Sequence, residues 1–139
     1  MSTRLRNERG QALLETAITL PIILLVCVGI FEFGRAYQVQ QVLTNAAREG
    51  ARVACLPGTT DAVVTTAVRN YLTSGGLTAV NPTIVRNVPF NGTTTASRVT
   101  ISYPFNFMVL NPVARMITRT STLGAGVLTM QAATLMRNE

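Results

Sequence analysis

One apolar stretch near the N-terminus decides the architecture of this chain: Gln11-Ala-Leu-Leu-Glu15-Thr-Ala-Ile-Thr-Leu20-Pro-Ile-Ile-Leu-Leu25-Val-Cys-Val-Gly-Ile30-Phe31. Its 21 residues carry one charge, and as a helix they are long enough to cross a hydrocarbon core of about 30 Å. Arg4, Arg6 and Arg9 precede the stretch, and basic residues beside a membrane segment favour the cytoplasmic side. No small-residue signal cleavage site follows it. The stretch therefore predicts a retained, single-pass membrane helix with a cytoplasmic N-terminus.

Glu15 is the one charged residue of this stretch. A carboxylate in a membrane segment costs about 2.5–3.5 kcal/mol on insertion scales, so such residues usually have a partner. One interpretation places Glu15 at the membrane interface, ionised or protonated. In the other, cleavage after Gly10 gives Gln11 a free α-ammonium, which neutralises Glu15 of a neighbouring subunit in a helical bundle. Such a buried charge would fix the register between subunits.

The helix is predicted to continue to Ala54, although Pro21 cannot donate to the carbonyl of Ala17 and should kink or loosen it. Beyond Phe31, apolar residues recur at spacings of three and four. This stripe contains Phe33, Ala36, Tyr37, Leu43, Ala46, Ala47, Gly50, Ala51 and Ala54. The small members Ala46, Ala47, Gly50 and Ala51 are candidates for close helix packing. They would pack against either the chain's own head or other subunits.

The remainder predicts a small α+β head after Leu56-Pro57-Gly58. Asp61 is a candidate cap for a short helix from Ala62 to about Thr73, ended by Gly75-Gly76. Alternating residues predict strands at 83–88, 97–103 and 127–137, with a loop longer than an ideal hairpin around Asn91-Gly92. Asn111-Pro112 predicts a second short helix through about Thr118. The expected fold is a long N-terminal helix followed by a roughly three-stranded antiparallel sheet and two short helices.

Composition disfavours enzyme chemistry and metal binding. The chain has no His, and all 12 basic residues are Arg, so no His or Lys can activate a nucleophile. Cys27 and Cys55 lie about 42 Å apart if one helix joins them, too far for a disulfide within the chain, whereas pairing between chains stays open for Cys55. The net charge of +6 is dispersed, without the basic and aromatic interleaving of nucleic-acid binders. We expect no enzyme activity, cofactor, metal or nucleic-acid partner.

Particular motifs resemble those of a known family. The basic leader ending at Gly10, followed by Gln11-Ala-Leu-Leu-Glu15, is similar to the class III signal of type IV pilins and pseudopilins. The wider pattern resembles the TadE-like proteins of tight-adherence (Tad) pilus systems. It comprises Arg9-Gly-Gln-Ala-Leu-Leu-Glu-Thr-Ala, Leu20-Pro-Ile-Ile-Leu, Gly29-Ile-Phe-Glu-Phe-Gly-Arg35 and Asn45-Ala-Ala-Arg-Glu-Gly-Ala-Arg52. Gln11 departs from the family, because mature pilins usually begin with an apolar residue.

The resemblance implies a division into a leader (1–10), an assembly helix (11–54) and an envelope head (55–139). It implies cleavage between Gly10 and Gln11 by a prepilin peptidase, a role for Glu15 in assembly, and stretching of the helix near Pro21. The implied partners are other pilin subunits, the inner-membrane platform and the assembly ATPase. The implied product is a bacterial surface pilus for adhesion. The alternative is a single-pass envelope protein that supports assembly or binds a partner without polymerising.

Overall fold

The computed structural model of the protein describes residues 3–91, 94–109, 111–112 and 128–138, with side chains from Gly10 onward. Helix α1 (Thr3–Ala54) is followed by helix α2 (Asp61–Ser74) and by strands β1 (Thr83–Phe90), β2 (Thr94–Phe105) and β3 (Leu128–Arg137). This confirms the predicted α+β class, with a long apolar helix preceding a short helix and a three-stranded antiparallel sheet. Most of the second predicted short helix, 111–118, lies outside the described residues.

Helix α1 has 52 residues and is therefore about 78 Å long. It ends at Ala54, as predicted, but it begins at Thr3 and so includes residues 3–10 of the predicted leader. The helix runs through Pro21, which lies inside it. Its C-terminal part packs against the head, whereas its N-terminal part extends away from it.

The sheet is a simple meander in which β2 lies between β1 and β3. Val85 pairs with Arg98, but Val88 pairs with Ala96, so a bulge interrupts β1 between them, with Asn87 at φ 57°. Residues 91–93 connect the first two strands. This connection is shorter than the predicted one, which ran from 89 to 96. β1 extends further than predicted because it is an edge strand, in which Pro89 is tolerated. The bulge accommodates the change of register between Val85 and Val88.

The core lies between α1, α2 and one face of the sheet. Small side chains on α1 let α2 and β2 approach closely, and Val64, Val68 and Leu72 of α2 are fully buried. The buried apolar residues are Val39, Leu43, Ala46, Ala47, Ala51, Ala54, Val64, Val68, Leu72, Val99, Ile101, Phe105 and Ala132. Burial of these side chains on folding stabilises the head by roughly 25 cal/mol per Å² of apolar surface.

Two members of the predicted stripe on α1 are not in the core. Phe33 and Tyr37 are exposed, whereas Glu32 and Val39 are buried. Glu32 lies seven residues before Val39, which is two helical turns, so the two side chains share the face that meets the head. The prediction placed Phe33 on the buried face because its side chain is apolar. It was wrong because the helical spacing places Glu32, and not Phe33, on the face that meets the head.

The ends of α2 differ in how well they were predicted. Asp61 was expected to be the N-cap, but it is the first helical residue, and the N-cap is Thr60, without a side-chain cap bond. The carboxylate of Asp61 instead forms an ion pair with Arg86, Oδ1 to Nε 2.7 Å. Gly75 and Gly76 end the helix as predicted. Gly76 adopts φ +75°, and the amide of Leu77 donates to the carbonyl of Leu72 at 2.9 Å in a Schellman motif.

Candidate assembly helix and its junction with the head

The N-terminal part of α1 presents a bare apolar surface. None of residues 10–31 is buried, and most of the large apolar side chains among them are about half exposed or more. The exposed members are Leu13, Leu14, Ile18, Leu20, Ile22, Ile23, Leu24, Leu25, Val26, Ile30 and Phe31. Within the part of the chain that the structure describes, this is the one helix long and apolar enough to cross a membrane.

Glu15 lies on this bare surface with no neutralising group among the described side chains. It lines a shallow depression with Ala12, Thr16, Thr19, Leu20 and Ile23. The hydroxyl groups nearby are engaged by the helix itself: Thr16 Oγ1 donates to the carbonyl of Ala12 at 2.8 Å, and Thr19 Oγ1 donates to the carbonyl of Glu15 at 2.7 Å. The carboxylate is therefore exposed on an apolar rod and is available to a cation from outside the chain.

The other predicted site residues fall into two groups. Gly10, Gln11 and Pro21 lie in the bare part of α1, and all three are exposed. The candidate packing residues lie further along α1 and are buried beneath the chain's own head. They are Ala46, Ala47, Gly50 and Ala51. The structure thus separates the cleavage and charge residues from the packing residues by a long stretch of helix.

At Gly50, α1 and the head approach each other closely. A Cβ atom at this position would lie 2.5 Å from Val68 Cγ2 on α2 and 3.2 Å from Val99 Cγ1 on β2. Both valines are fully buried and stiff at χ1, so neither can move aside readily. Gly50 is the residue that allows α2 and the sheet to pack against the same turn of α1.

The junction between bare and covered helix is abrupt. Phe31 is 66% exposed, whereas the next residue, Glu32, is fully buried. Glu32 Oε1 accepts a hydrogen bond from the backbone amide of Val109 at 2.5 Å, and Oε2 accepts one from Arg35 Nη2 at 3.1 Å. Arg35 Nη2 also donates to the carbonyl of Asn106. The Glu32–Arg35 pair thereby holds residues 106–109, which we call the junction loop, against α1.

Burial and hydrogen bonding have opposite effects on the Glu32 carboxyl, which lies just outside the apolar stretch 11–31. Burial raises its pKa, but the amides of Val109 and Met108 and the guanidinium of Arg35 lower it. The net pKa of Glu32 is below its ordinary value, so the group is ionised at neutral pH. A buried carboxylate is stable here because several donors together replace its hydration.

Aromatic rings complete the junction. Phe107 meets Phe33 edge-on with ring centroids 6.1 Å apart, and it meets Phe105 with centroids 5.2 Å apart. The guanidinium carbon of Arg35 lies 4.5 Å from the Phe105 ring centroid, within cation–π range. The junction loop is therefore attached to α1 by packing as well as by charge.

The role of Glu32 was missed in the sequence, where it stood only within the motif Gly29-Ile-Phe-Glu-Phe-Gly-Arg35. A signal was present, because an acid directly after the apolar stretch falls in phase with Val39 and Leu43. Its partners in the junction loop, more than 70 residues later, carried no corresponding signal.

No group of three or more His, Cys, Asp or Glu that could hold a metal ion occurs among the described residues. No disulfide joins Cys27 and Cys55, and the Cys55 thiol donates to the carbonyl of Met136 at 3.4 Å.

A bare apolar helix carrying a small α+β head fits the class of proteins anchored in a membrane by a single N-terminal helix. Residues 10–52 match the sequence model of the family described as TadE-like protein, which confirms the predicted resemblance over that segment. The match covers the apolar part of α1 and most of its continuation beneath the head, but not the sheet. No curated protein and no solved structure matches the chain.

Proposed function

We propose that this chain is a pilin-like structural subunit of a Tad-type type IV pilus. The single observation that carries the proposal is the exposed Glu15 on the bare apolar part of α1. A helix that served only as an anchor would need no carboxylate in its apolar stretch, since the group costs insertion energy there. In an assembly helix, the carboxylate can pair with a cation of a neighbouring subunit.

Before assembly, residues 11–31 cross the inner membrane, with the arginine-rich N-terminus in the cytoplasm and the head outside. A prepilin peptidase then cleaves between Gly10 and Gln11, on the cytoplasmic side. The TadE-like match includes both residues of this bond.

During assembly, the bare helices leave the lipid and pack against one another with the help of a membrane platform and an ATPase. The new α-ammonium of Gln11 meets Glu15 of a neighbouring subunit, so both charges are neutralised inside the bundle. Packing between helices replaces lipid contacts along the apolar surface. The heads remain on the outside of the filament, where they can serve adhesion.

The test compares Glu15→Leu with Thr16→Leu in cells that form filaments. Both variants place a leucine on the same exposed turn of α1, but only the first removes the carboxylate. We expect the Glu15→Leu chain to be processed to Gln11 and kept in the membrane but absent from sheared filaments. The Thr16→Leu chain should enter filaments normally.

Intact-mass and N-terminal analysis of the sheared filaments gives the decisive readout. Entry of Glu15→Leu at the wild-type level would overturn the proposed charge pairing. A wild-type chain that starts at Met1 and is found only in membranes would instead favour the non-polymerising envelope protein.

A further inference from the structure

We propose that the junction loop, residues 106–109, is inserted into the lipid interface on the head side of the membrane. The apolar side chains of the loop lie at the boundary between the lipid headgroups and the acyl chains, so lipid covers this surface. The inference rests on the membrane insertion of α1 that the proposed function includes, but it does not require polymerisation.

The first argument is the level of the loop along α1. The apolar stretch 11–31 is about 30 Å long and ends at Phe31, so its head-side end coincides with the edge of the hydrocarbon core. Glu32, the next residue, contacts the Val109 amide at 2.5 Å, and Phe33 packs on Phe107. The loop is therefore held at the level where the membrane ends.

The second argument is the exposure of its side chains. Met108 is 67% exposed and Phe33, beside the loop, is 64% exposed, with Val109 partly exposed as well. These side chains continue the bare apolar surface of α1 on to the head. Aromatic and apolar groups at this depth are typical of membrane-interface anchors.

The third argument is that the backbone of the loop is compatible with a partly dehydrated environment. Irregular backbone is tolerated near lipid only where its polar groups have partners within the protein. The Val109 and Met108 amides interact with the Glu32 carboxylate, and the Asn106 carbonyl accepts from Arg35. The Glu32–Arg35 pair thus supplies partners for three backbone polar groups of the loop, the amides of Met108 and Val109 and the carbonyl of Asn106.

The natural absence of Trp allows a direct test with single tryptophans in the full chain. The variants are Met108→Trp in the loop, Ile22→Trp in the apolar stretch and Tyr71→Trp, at an exposed position of α2 in the head. Each is reconstituted into phosphatidylethanolamine–phosphatidylglycerol vesicles containing lipids brominated at shallow or deep acyl positions. Quenching of tryptophan fluorescence then reports the depth of each residue.

We expect Met108→Trp to lose fluorescence mainly with shallow bromines, Ile22→Trp mainly with deep bromines, and Tyr71→Trp with neither. Quenching of Ile22→Trp without quenching of Met108→Trp would overturn the loop inference and leave membrane insertion intact. Quenching of neither would contradict the membrane insertion itself. Should Met108→Trp disturb the loop, Phe33→Trp tests the same level from α1, and its failure to be quenched would also overturn the inference.

Discussion

The carboxylate of Glu32 accepts a 2.5 Å hydrogen bond from the backbone amide of Val109, 77 residues later in the chain. This contact joins the start of the covered part of α1 to the loop that follows β2. It marks the point at which one continuous helix changes from a bare apolar rod to a support for the head. Its consequences can be measured separately from filament assembly.

Glu32→Ala should release the junction loop from α1. The Val109 and Met108 amides lose their charged acceptor, and Arg35 loses its ion-pair partner, so local opening becomes easier. Hydrogen exchange of these two amides, measured by mass spectrometry on the full chain in detergent, should be faster than in the wild type. Glu49→Ala is the matched control, because it breaks the i,i+3 pair with Arg52 but does not contact the loop. Equal exchange in both variants would contradict the assignment.

The stability of the head should fall in acid in a way that depends on Glu32. Because the folded pKa of Glu32 is lowered, ionisation stabilises the fold fully above the ordinary Glu pKa of about 4.3, and this contribution is lost as the pH falls through the folded value. Unfolding of the wild type and of Glu32→Gln should be compared from neutral to acidic pH. The difference in stability should shrink below the ordinary pKa. A constant difference would show that the carboxylate charge is not responsible.

Gly50→Ala should destabilise the head by about 1–3 kcal/mol, the usual cost of overpacking. The new methyl group would meet Val68 Cγ2 at 2.5 Å, and this outweighs the better helix propensity of alanine. Gly34→Ala in the same helix is the control, because nothing lies within 4 Å of its Cβ position. It should be neutral or stabilising. Denaturant unfolding in detergent measures both, and equal effects would refute the close approach at Gly50.

Arg86→Ala should destabilise the head by about 1 kcal/mol, the net value of an ordinary hydrogen bond. Arg86 Nη1 donates to the carbonyl of Ala54 at 3.0 Å, and its Nε pairs with Asp61, so it ties the end of α1 to the start of α2. Asp61→Asn removes only the charge of the exposed partner and should have a smaller effect. Thermal unfolding compares the two, and a larger loss for Asp61→Asn would contradict the role of the Ala54 contact.

The head was predicted less completely than the helix. Strand positions followed from alternation, and Gly75-Gly76 marked the end of α2. The bulge between Val85 and Val88 had no such signal. A bulge depends on how two strands pair, which local propensity does not encode. The same limit explains Asp61, whose carboxylate meets Arg86 on β1 instead of capping its own helix.

The sequence by itself determined the long apolar helix, the position of a carboxylate within it and the α+β class, because hydrophobic periodicity and helix length are local properties of the chain. Only the tertiary structure decided where the head begins along that helix. That boundary depends on the hydrogen bonds of the buried Glu32 carboxylate with Val109 and Arg35. It also depends on Gly50, which has no side chain and so leaves space for Val68. Contacts between distant segments set it, and their free energy exists only once the chain has folded.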